Sequence, residues 1–120
     1  MLKENIVKDK SYNFSLRIIK LYKHLMDEKN EFVLSKQVLR CGTSIGANIE
    51  EAVGGQSKKD FINKIAIAYK EARECHYWIR LLKDSSFIES RSAGSLLNDC
   101  EELIKLTGKI ISSSKKSIDN

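Results

Sequence analysis

The hydrophobic residues of this chain recur at intervals of three and four, which is the spacing of one face of an α-helix. Four stretches carry the pattern, and small clusters of glycine, serine or asparagine separate them. The clearest stretch has apolar positions that alternate by four and three residues: Phe61, Ile65, Ala68, Ala72, Cys75, Ile79 and Leu82. Such a seam is typical of helical bundles. No strand-like alternation and no proline occur, so the pattern predicts an all-α fold.

The turn residues set the expected boundaries of the four helices. We expect helices at about 8–29, 35–53, 58–84 and 92–111, an ordered core over about 8–112, and a frayed tail over 113–120. Ser35, Ser57 and Ser92 are the expected N-caps. Short connections favour antiparallel neighbours, so we predict a single domain over 1–120, an up-down four-helix bundle.

The second predicted helix contains two glycines one turn apart, Gly42 and Gly46. An interior glycine costs a helix roughly 1 kcal/mol relative to alanine. Two such residues need a compensating reason, and we expect close approach of another helix.

A row of polar residues lies beside these glycines: Arg40, Ser44, Asn48 and Glu51. One interpretation is a ligand or nucleic-acid surface. The interpretation we favour is a hydrogen-bonded network, within the bundle or across a subunit interface, in which Glu71 and Glu74 pair with Arg40. If the pair is fully buried, Arg40→Ala should cost about 3–5 kcal/mol.

These residues also carry a family resemblance. The segments 37–52, 57, 60–61, 67–72 and 77–82 resemble the four-helix-bundle family first described as proteins encoded by intervening sequences in bacterial 23S ribosomal RNA genes. The similarity is greatest to the subgroup containing the accessory variability protein of diversity-generating retroelements. The resemblance implies a bundle that assembles into a ring, usually of five subunits, without known catalytic activity. In the retroelement subgroup it also implies a reverse transcriptase as partner.

The net charge of +5 is unevenly distributed. Segment 57–84 has seven basic and four acidic residues and segment 1–31 has seven and five, while the remaining segments are balanced. The residues we expect to contact phosphates recur at helical spacing on the first and third helices: Arg17, Lys20, Lys70, Arg73 and Arg80, with Tyr77 available for stacking. The alternative is a solvated face with i, i+4 ion pairs.

The sequence gives little support for metal binding, catalysis or a nucleotide-binding loop. The two histidines, His24 and His76, lack the spacing of a metal pair, and no glycine-rich phosphate loop follows a strand. The three cysteines fall on apolar positions, which indicates reduced core residues in a cytoplasmic protein. We expect no catalytic residue, cofactor, metal or membrane association. The predicted function is a non-enzymatic homo-oligomer that binds RNA, DNA or a nucleoprotein partner, and the family resemblance implies a pentamer. The alternative is a protein scaffold without nucleic acid.

Overall fold

The computed structural model describes the backbone of residues 2–119 as four long helices joined by short connections. The helices are α1 (Leu2–Asp27), α2 (Leu34–Val53), α3 (Lys58–Asp84) and α4 (Ser90–Asp119). Together they form a rod of about 51 × 21 × 21 Å. No strand occurs among residues 2–119, which confirms the all-α prediction. No helix in this part of the chain combines the length and the apolar character needed to cross a bilayer.

Each helix packs against two neighbours, and this arrangement decides which surfaces can act together. α2 lies between α1 and α3, α4 lies between α3 and α1, and the contact of α1 with α4 is the least extensive. α1 and α3 lie diagonally across the bundle and are not neighbouring helices. The two helices that carry the excess positive charge therefore face opposite sides of the rod.

The core follows the predicted seams with one systematic difference. In α1 the predicted positions Phe14, Ile18, Leu21 and Leu25 are all buried. In α4 the buried set shifts toward Leu96, Leu103 and Ile110, and the predicted Ile104 and Ile111 are only partly buried. An α-helix has 3.6 residues per turn, so a strict 3.5-residue repeat drifts around a long helix.

Two predicted boundaries are wrong because the terminal helices are longer than their apolar patterns. α1 begins at Leu2 rather than near residue 8, and Val7 of the added turns is fully buried. α4 continues to Asp119, beyond the predicted end near 111, and Lys58 Nζ donates to Ser117 Oγ at 2.7 Å. Fraying of this tail stays a prediction. No proline interrupts either extension, and serine and lysine are tolerated within a helix. Residue 120 of the predicted tail lies outside the described residues.

The helix caps confirm one prediction and correct two others. Ser57 caps α3, because its hydroxyl accepts the backbone N–H of Asp60 at 3.0 Å. α4 begins at Ser90 rather than after Ser92, since the Ala93 N–H already bonds to the Glu89 carbonyl. Ser35 does not cap α2; it is a buried residue inside the first turn.

Glu31 performs the role that was predicted for Ser35. Its carboxylate accepts the backbone N–H groups of Val33, Leu34 and Ser35 at 3.1, 2.9 and 2.6 Å. Asn30 has φ of 51°, a left-handed conformation that asparagine adopts more readily than most residues. Burial opposes the charge on Glu31, but these backbone hydrogen bonds outweigh it and lower the pKa of the carboxyl. An upstream carboxylate therefore holds the start of α2.

Candidate nucleic-acid interface

The two glycines of α2 face α1 inside the protomer. A Cβ atom added at Gly42 would lie only 2.7 and 2.8 Å from the Ile18 Cγ atoms, and one at Gly46 would lie 3.3 Å from Ser15 Oγ. Such distances leave no room for a side chain at Gly42, because real Cβ atoms hardly ever approach so closely. The small residues of α2 thus allow its backbone to approach α1, and they contribute no exposed surface.

The polar residues of α2 face α3 on the opposite side. Arg40 Nη1 donates to Glu71 at 3.2 Å, and Arg40 Nη2 donates to Glu74. Glu74 also accepts the indole N–H of Trp78 at 2.9 Å. Partial burial opposes the charge on the guanidinium, but the carboxylates of Glu74 and Glu71 outweigh it and raise the pKa of Arg40. These residues form one network that connects α2 and α3.

The network differs from the expectation in its exposure. The side chain of Arg40 is 51% exposed, so the pair is not buried within the protomer. Exposed ion pairs contribute about 1 kcal/mol or less. For the isolated protomer, the cost of Arg40→Ala therefore falls well below the 3–5 kcal/mol of a buried pair.

Of the other members of the polar row, Glu51 pairs with a residue of α3, whereas Ser44 and Asn48 hydrogen-bond within α2. Asn48 Nδ2 donates to the carbonyl and hydroxyl oxygens of Ser44 at 2.9 and 3.0 Å. Glu51 pairs with Lys64 of α3 at 3.2 Å. Ser44 and Asn48 hydrogen-bond each other, and Glu51 forms its own ion pair one turn further along.

Two arginines of α3, Arg73 and Arg80, lie on the side of the helix nearer α4. Arg73 donates to Tyr69 Oη at 3.2 Å, and its guanidinium lies 5.8 Å from the Tyr69 ring centroid. Arg80 Nε donates to His76 Nδ1 at 3.1 Å, while His76 Nε2 contacts Glu101 of α4 at 3.0 Å. Among the described residues neither arginine forms an ion pair with a carboxylate. Their positive charge is therefore available to an anion.

An exposed aromatic ring accompanies these charges. Tyr77 is 47% exposed, and the Arg80 guanidinium lies 5.8 Å from its ring centroid. Trp78 packs edge-on against Tyr77, with the ring centroids 5.2 Å apart. Lys70 is exposed two turns before Tyr77. Basic side chains without carboxylate partners, next to an exposed aromatic ring, are typical of sites that bind single-stranded nucleic acid.

The structure separates Arg17 and Lys20 from the α3 residues. They lie on the diagonal helix α1, so the five predicted basic residues do not form one surface on a protomer. Arg17 also pairs with Asp99 of α4 at 2.5 Å and donates to Ser95 Oγ at 3.0 Å. Its charge is partly neutralised, unlike that of Arg73 and Arg80. The periodicity of each helix could not reveal this, because it says nothing about which carboxylates a neighbouring helix presents.

The three cysteines meet in the core, which sequence reasoning did not predict. Cys41, Cys75 and Cys100 come from three helices, and all are fully buried and reduced. Contacts of the Cys75 thiol with Cys100 and with Cys41, together with burial, raise the pKa of Cys75 well above its ordinary value. Cys100 Sγ also donates to the Ala72 carbonyl at 3.2 Å. A thiol with a raised pKa is a poor nucleophile at neutral pH.

The sequence and the architecture are similar to those of known proteins. Residues 3–109 match the family model of the 23S rRNA-intervening sequence protein. The crystal structure of a Bacteroides thetaiotaomicron protein of unknown function, from the S23 ribosomal protein family, is 54% identical with a TM-score of 0.90. The match covers 92% of this chain and 98% of that chain. No curated protein matches the sequence. The chain therefore belongs to the 23S rRNA-intervening sequence protein family.

Proposed function

We propose that this protein is a non-enzymatic homo-oligomer that binds nucleic acid through the exposed side of α3. The observation that carries the proposal is the set of basic residues Lys70, Arg73 and Arg80, which lacks carboxylate partners among the described residues and lies beside the exposed ring of Tyr77. Lysine and arginine bind phosphates, and an exposed aromatic ring stacks with bases. Binding of this kind tolerates many sequences and weakens steeply with salt.

The test is a binding titration with single- and double-stranded RNA and DNA at low and moderate salt. Replacing Lys70, Arg73 and Arg80 together by Gln should weaken binding strongly and reduce its dependence on salt. Tyr77→Ala should weaken binding to single strands more than to duplexes, because duplex bases are already stacked.

A matched control separates a site from the general effect of charge. Lys10, Lys23 and Lys36 are exposed lysines of α1 and α2, and α1 lies diagonally across the bundle from α3. Their joint replacement by Gln removes the same formal charge and should weaken binding much less. Equal losses in both triple variants would contradict a site on α3, and absence of binding by the wild type would favour the protein-scaffold alternative.

Self-association is the second part of the proposal, and two exposed apolar patches support it. One lies on α1 and consists of Tyr12, Leu16 and Ile19. The other lies on the α2-facing side of α3, where Ile67 and Leu81 are exposed beside the half-buried Trp78. A head-to-tail interface joins two different patches and closes into a ring when the rotation permits. We propose that the first patch of one protomer packs on the second patch of the next.

This assembly would leave Arg73 and Arg80 open while covering the Arg40 network. Arg40 and Glu74 lie on the same side of α3 as Ile67 and Leu81, so a neighbouring protomer would desolvate them. A buried polar network of this kind specifies register between subunits. Subunit number then follows from interface geometry, and five is the number that the family resemblance suggests.

Light scattering and sedimentation test the assembly. Leu16→Lys should shift the oligomer toward monomer, whereas Asn13→Lys, at an exposed polar position of the same helix, should leave the mass unchanged. A folded wild-type monomer at micromolar concentration would overturn the proposal. A reverse transcriptase is the nucleoprotein partner that the retroelement resemblance suggests, and co-purification with and without nuclease would show whether nucleic acid bridges the two.

A further inference from the structure

A cleft of about 850 Å³ opens at one end of the bundle, where α1 meets the connection between α3 and α4. Its walls carry five basic side chains, namely Arg17, Lys20, His24, Lys29 and Lys83. Glu89 is its one acidic lining residue. The cleft lies away from Lys70, Arg73 and Arg80, none of which lines it. Convergence of the four lysine and arginine side chains from three segments of the chain produces a positive potential around an open volume.

Favourable interaction with helix ends accounts for only part of this cluster. His24 and Lys83 lie in the last turns of α1 and α3, where a cation stabilises the helix C-terminus. That effect fades within one turn, yet Lys20 and Arg17 lie about two and three turns before Asp27. Arg17 is held in the wall by Asp99 and Ser95, so it is pre-oriented. Lys20 and Lys29 have no ion-pair partner among the described residues, and Lys83 contacts only its neighbour Asp84, at 3.8 Å.

Apolar side chains complete the cleft beneath the cations. Leu21, Ile88 and Leu96 are buried, and Phe87 is partly exposed against them. The turn after α3 fixes the position of Phe87: Ser86 has φ of 67°, and the Phe87 N–H bonds to the Leu82 carbonyl at 2.9 Å. An aromatic side chain on an apolar floor offers a stacking surface for a base.

We propose that this cleft binds a nucleotide, with its phosphate among Lys20, Lys29 and Lys83 and its base against Phe87. The volume is within the range of small-ligand pockets, and the combination of an apolar floor with a few cations suits one nucleotide unit. Such a unit comes either from a free nucleotide or from the end of a nucleic-acid strand. The site is independent of the proposed α3 surface, since the two have no residue in common.

Nuclear magnetic resonance titration of the full chain distinguishes these sources. The probes are inorganic phosphate, AMP, and a ten-nucleotide single strand with or without a 5′-phosphate. We expect AMP to shift the signals of Leu21, Phe87 and Leu96 at lower concentration than inorganic phosphate does. A preference for the phosphorylated strand over AMP identifies a strand end as the source, and the reverse preference identifies a free nucleotide. Absence of cleft shifts with every probe at millimolar concentration overturns the proposal.

Variants of the two surfaces show which proposal fails. Lys20→Gln combined with Lys83→Gln should weaken AMP binding by about tenfold or more, because two charge-assisted contacts are lost. Phe87→Leu should remove the preference for AMP over phosphate while keeping the floor apolar. The α3 triple variant should bind AMP as the wild type does. If the cleft variant leaves AMP affinity unchanged, the cleft proposal fails, whatever the α3 variant does to long nucleic acids.

Discussion

The two sides of α1 contact their neighbours in opposite ways. Toward α2, the backbone at Gly42 lies so close to Ile18 that no side chain fits between them. Toward α4, the contact is less extensive, Arg17 and Lys10 pair with Asp99 and Glu102, and a cleft opens at the end. Close packing specifies one geometry because dense interiors tolerate little change, whereas exposed ion pairs contribute little and leave surface free. The α2 side of α1 therefore provides stability, and the α4 side leaves room for a ligand.

The largest change in the free energy of unfolding should come from adding a side chain at the close α1–α2 contact. Gly42→Ala places a Cβ against the stiff, β-branched Ile18, and overpacking of this kind costs about 1–3 kcal/mol. Gly94→Ala is the matched control, because a Cβ there meets no atom within 4 Å apart from its chain neighbours and the nearby backbone of its own helix. It should stabilise the protein by about 0.5–1 kcal/mol through helix propensity. Urea denaturation measures both. A stabilised Gly42→Ala protein would show that the close approach is not maintained in solution.

The next effect concerns the connection that leads from α1 into α2. Glu31→Gln removes the charge that three backbone N–H groups stabilise, and we expect a loss of about 1–2 kcal/mol at neutral pH. Because the folded state lowers the pKa of Glu31 below its ordinary value of 4.5, this stability is present above that pH. It is lost as pH falls through the folded-state pKa. Denaturation curves of wild type and variant should therefore converge in acid.

Glu28 provides the control for Glu31. It is an exposed carboxylate in the same connection, and Glu28→Gln should change neither the stability at neutral pH nor its acid dependence by much. A constant difference between wild type and Glu31→Gln from neutral pH to well below the ordinary carboxyl pKa would contradict the charged cap.

A substitution next to the cleft should raise the stability of the protein, by less than the preceding substitutions lower it. Ser86 holds a left-handed conformation that costs a residue with a Cβ about 1–2 kcal/mol. Ser86→Gly should relieve part of that cost and raise the thermal midpoint, with a gain of about 1 kcal/mol at most, because glycine also gains freedom in the unfolded chain. Ser85→Gly, next to it with φ of −94°, should be neutral or destabilising.

The smallest effect should come from the ion pairs across the α1–α4 contact. A double-mutant cycle of Arg17→Gln and Asp99→Asn should give a coupling of about 0.2–1 kcal/mol, because both side chains are substantially exposed. Salt should reduce it. A coupling above this range that is insensitive to salt would mean that the α1–α4 contact is as tightly packed as the α1–α2 contact.

Periodicity predicted the fold because helical burial repeats along one chain segment. The seams of α1 and α3 were predictable from residues such as Ile18 and Ile79, which need only local spacing to be assigned. The capping role of Glu31 was not predictable by the usual rule, since its carboxylate acts two to four residues away, across a connection in which Asn30 is left-handed. Local cap preferences favoured Ser35 instead.

The candidate sites were less predictable than the fold, because they depend on contacts between helices. The sequence showed that α1 and α3 hold the excess charge, and it named Glu71 and Glu74 as partners of Arg40 before their contact was visible. It could not show that Asp99 neutralises Arg17 while Arg73 has no carboxylate partner among the described residues. Nor could it show that Lys83 and Lys20 line the same cleft at the end of the bundle.

The three core thiols can also report local unfolding of the bundle. Cys41, Cys75 and Cys100 belong to α2, α3 and α4, and α1 has no cysteine. A thiol reagent can reach them only when the interior opens, so the labelling rate of each sulfur reports the free energy of the motion that exposes it. Equal rates at all three sites would mean that the bundle opens as one unit. Unequal rates would reveal which helix separates first, and no engineered cysteine or other label site is needed.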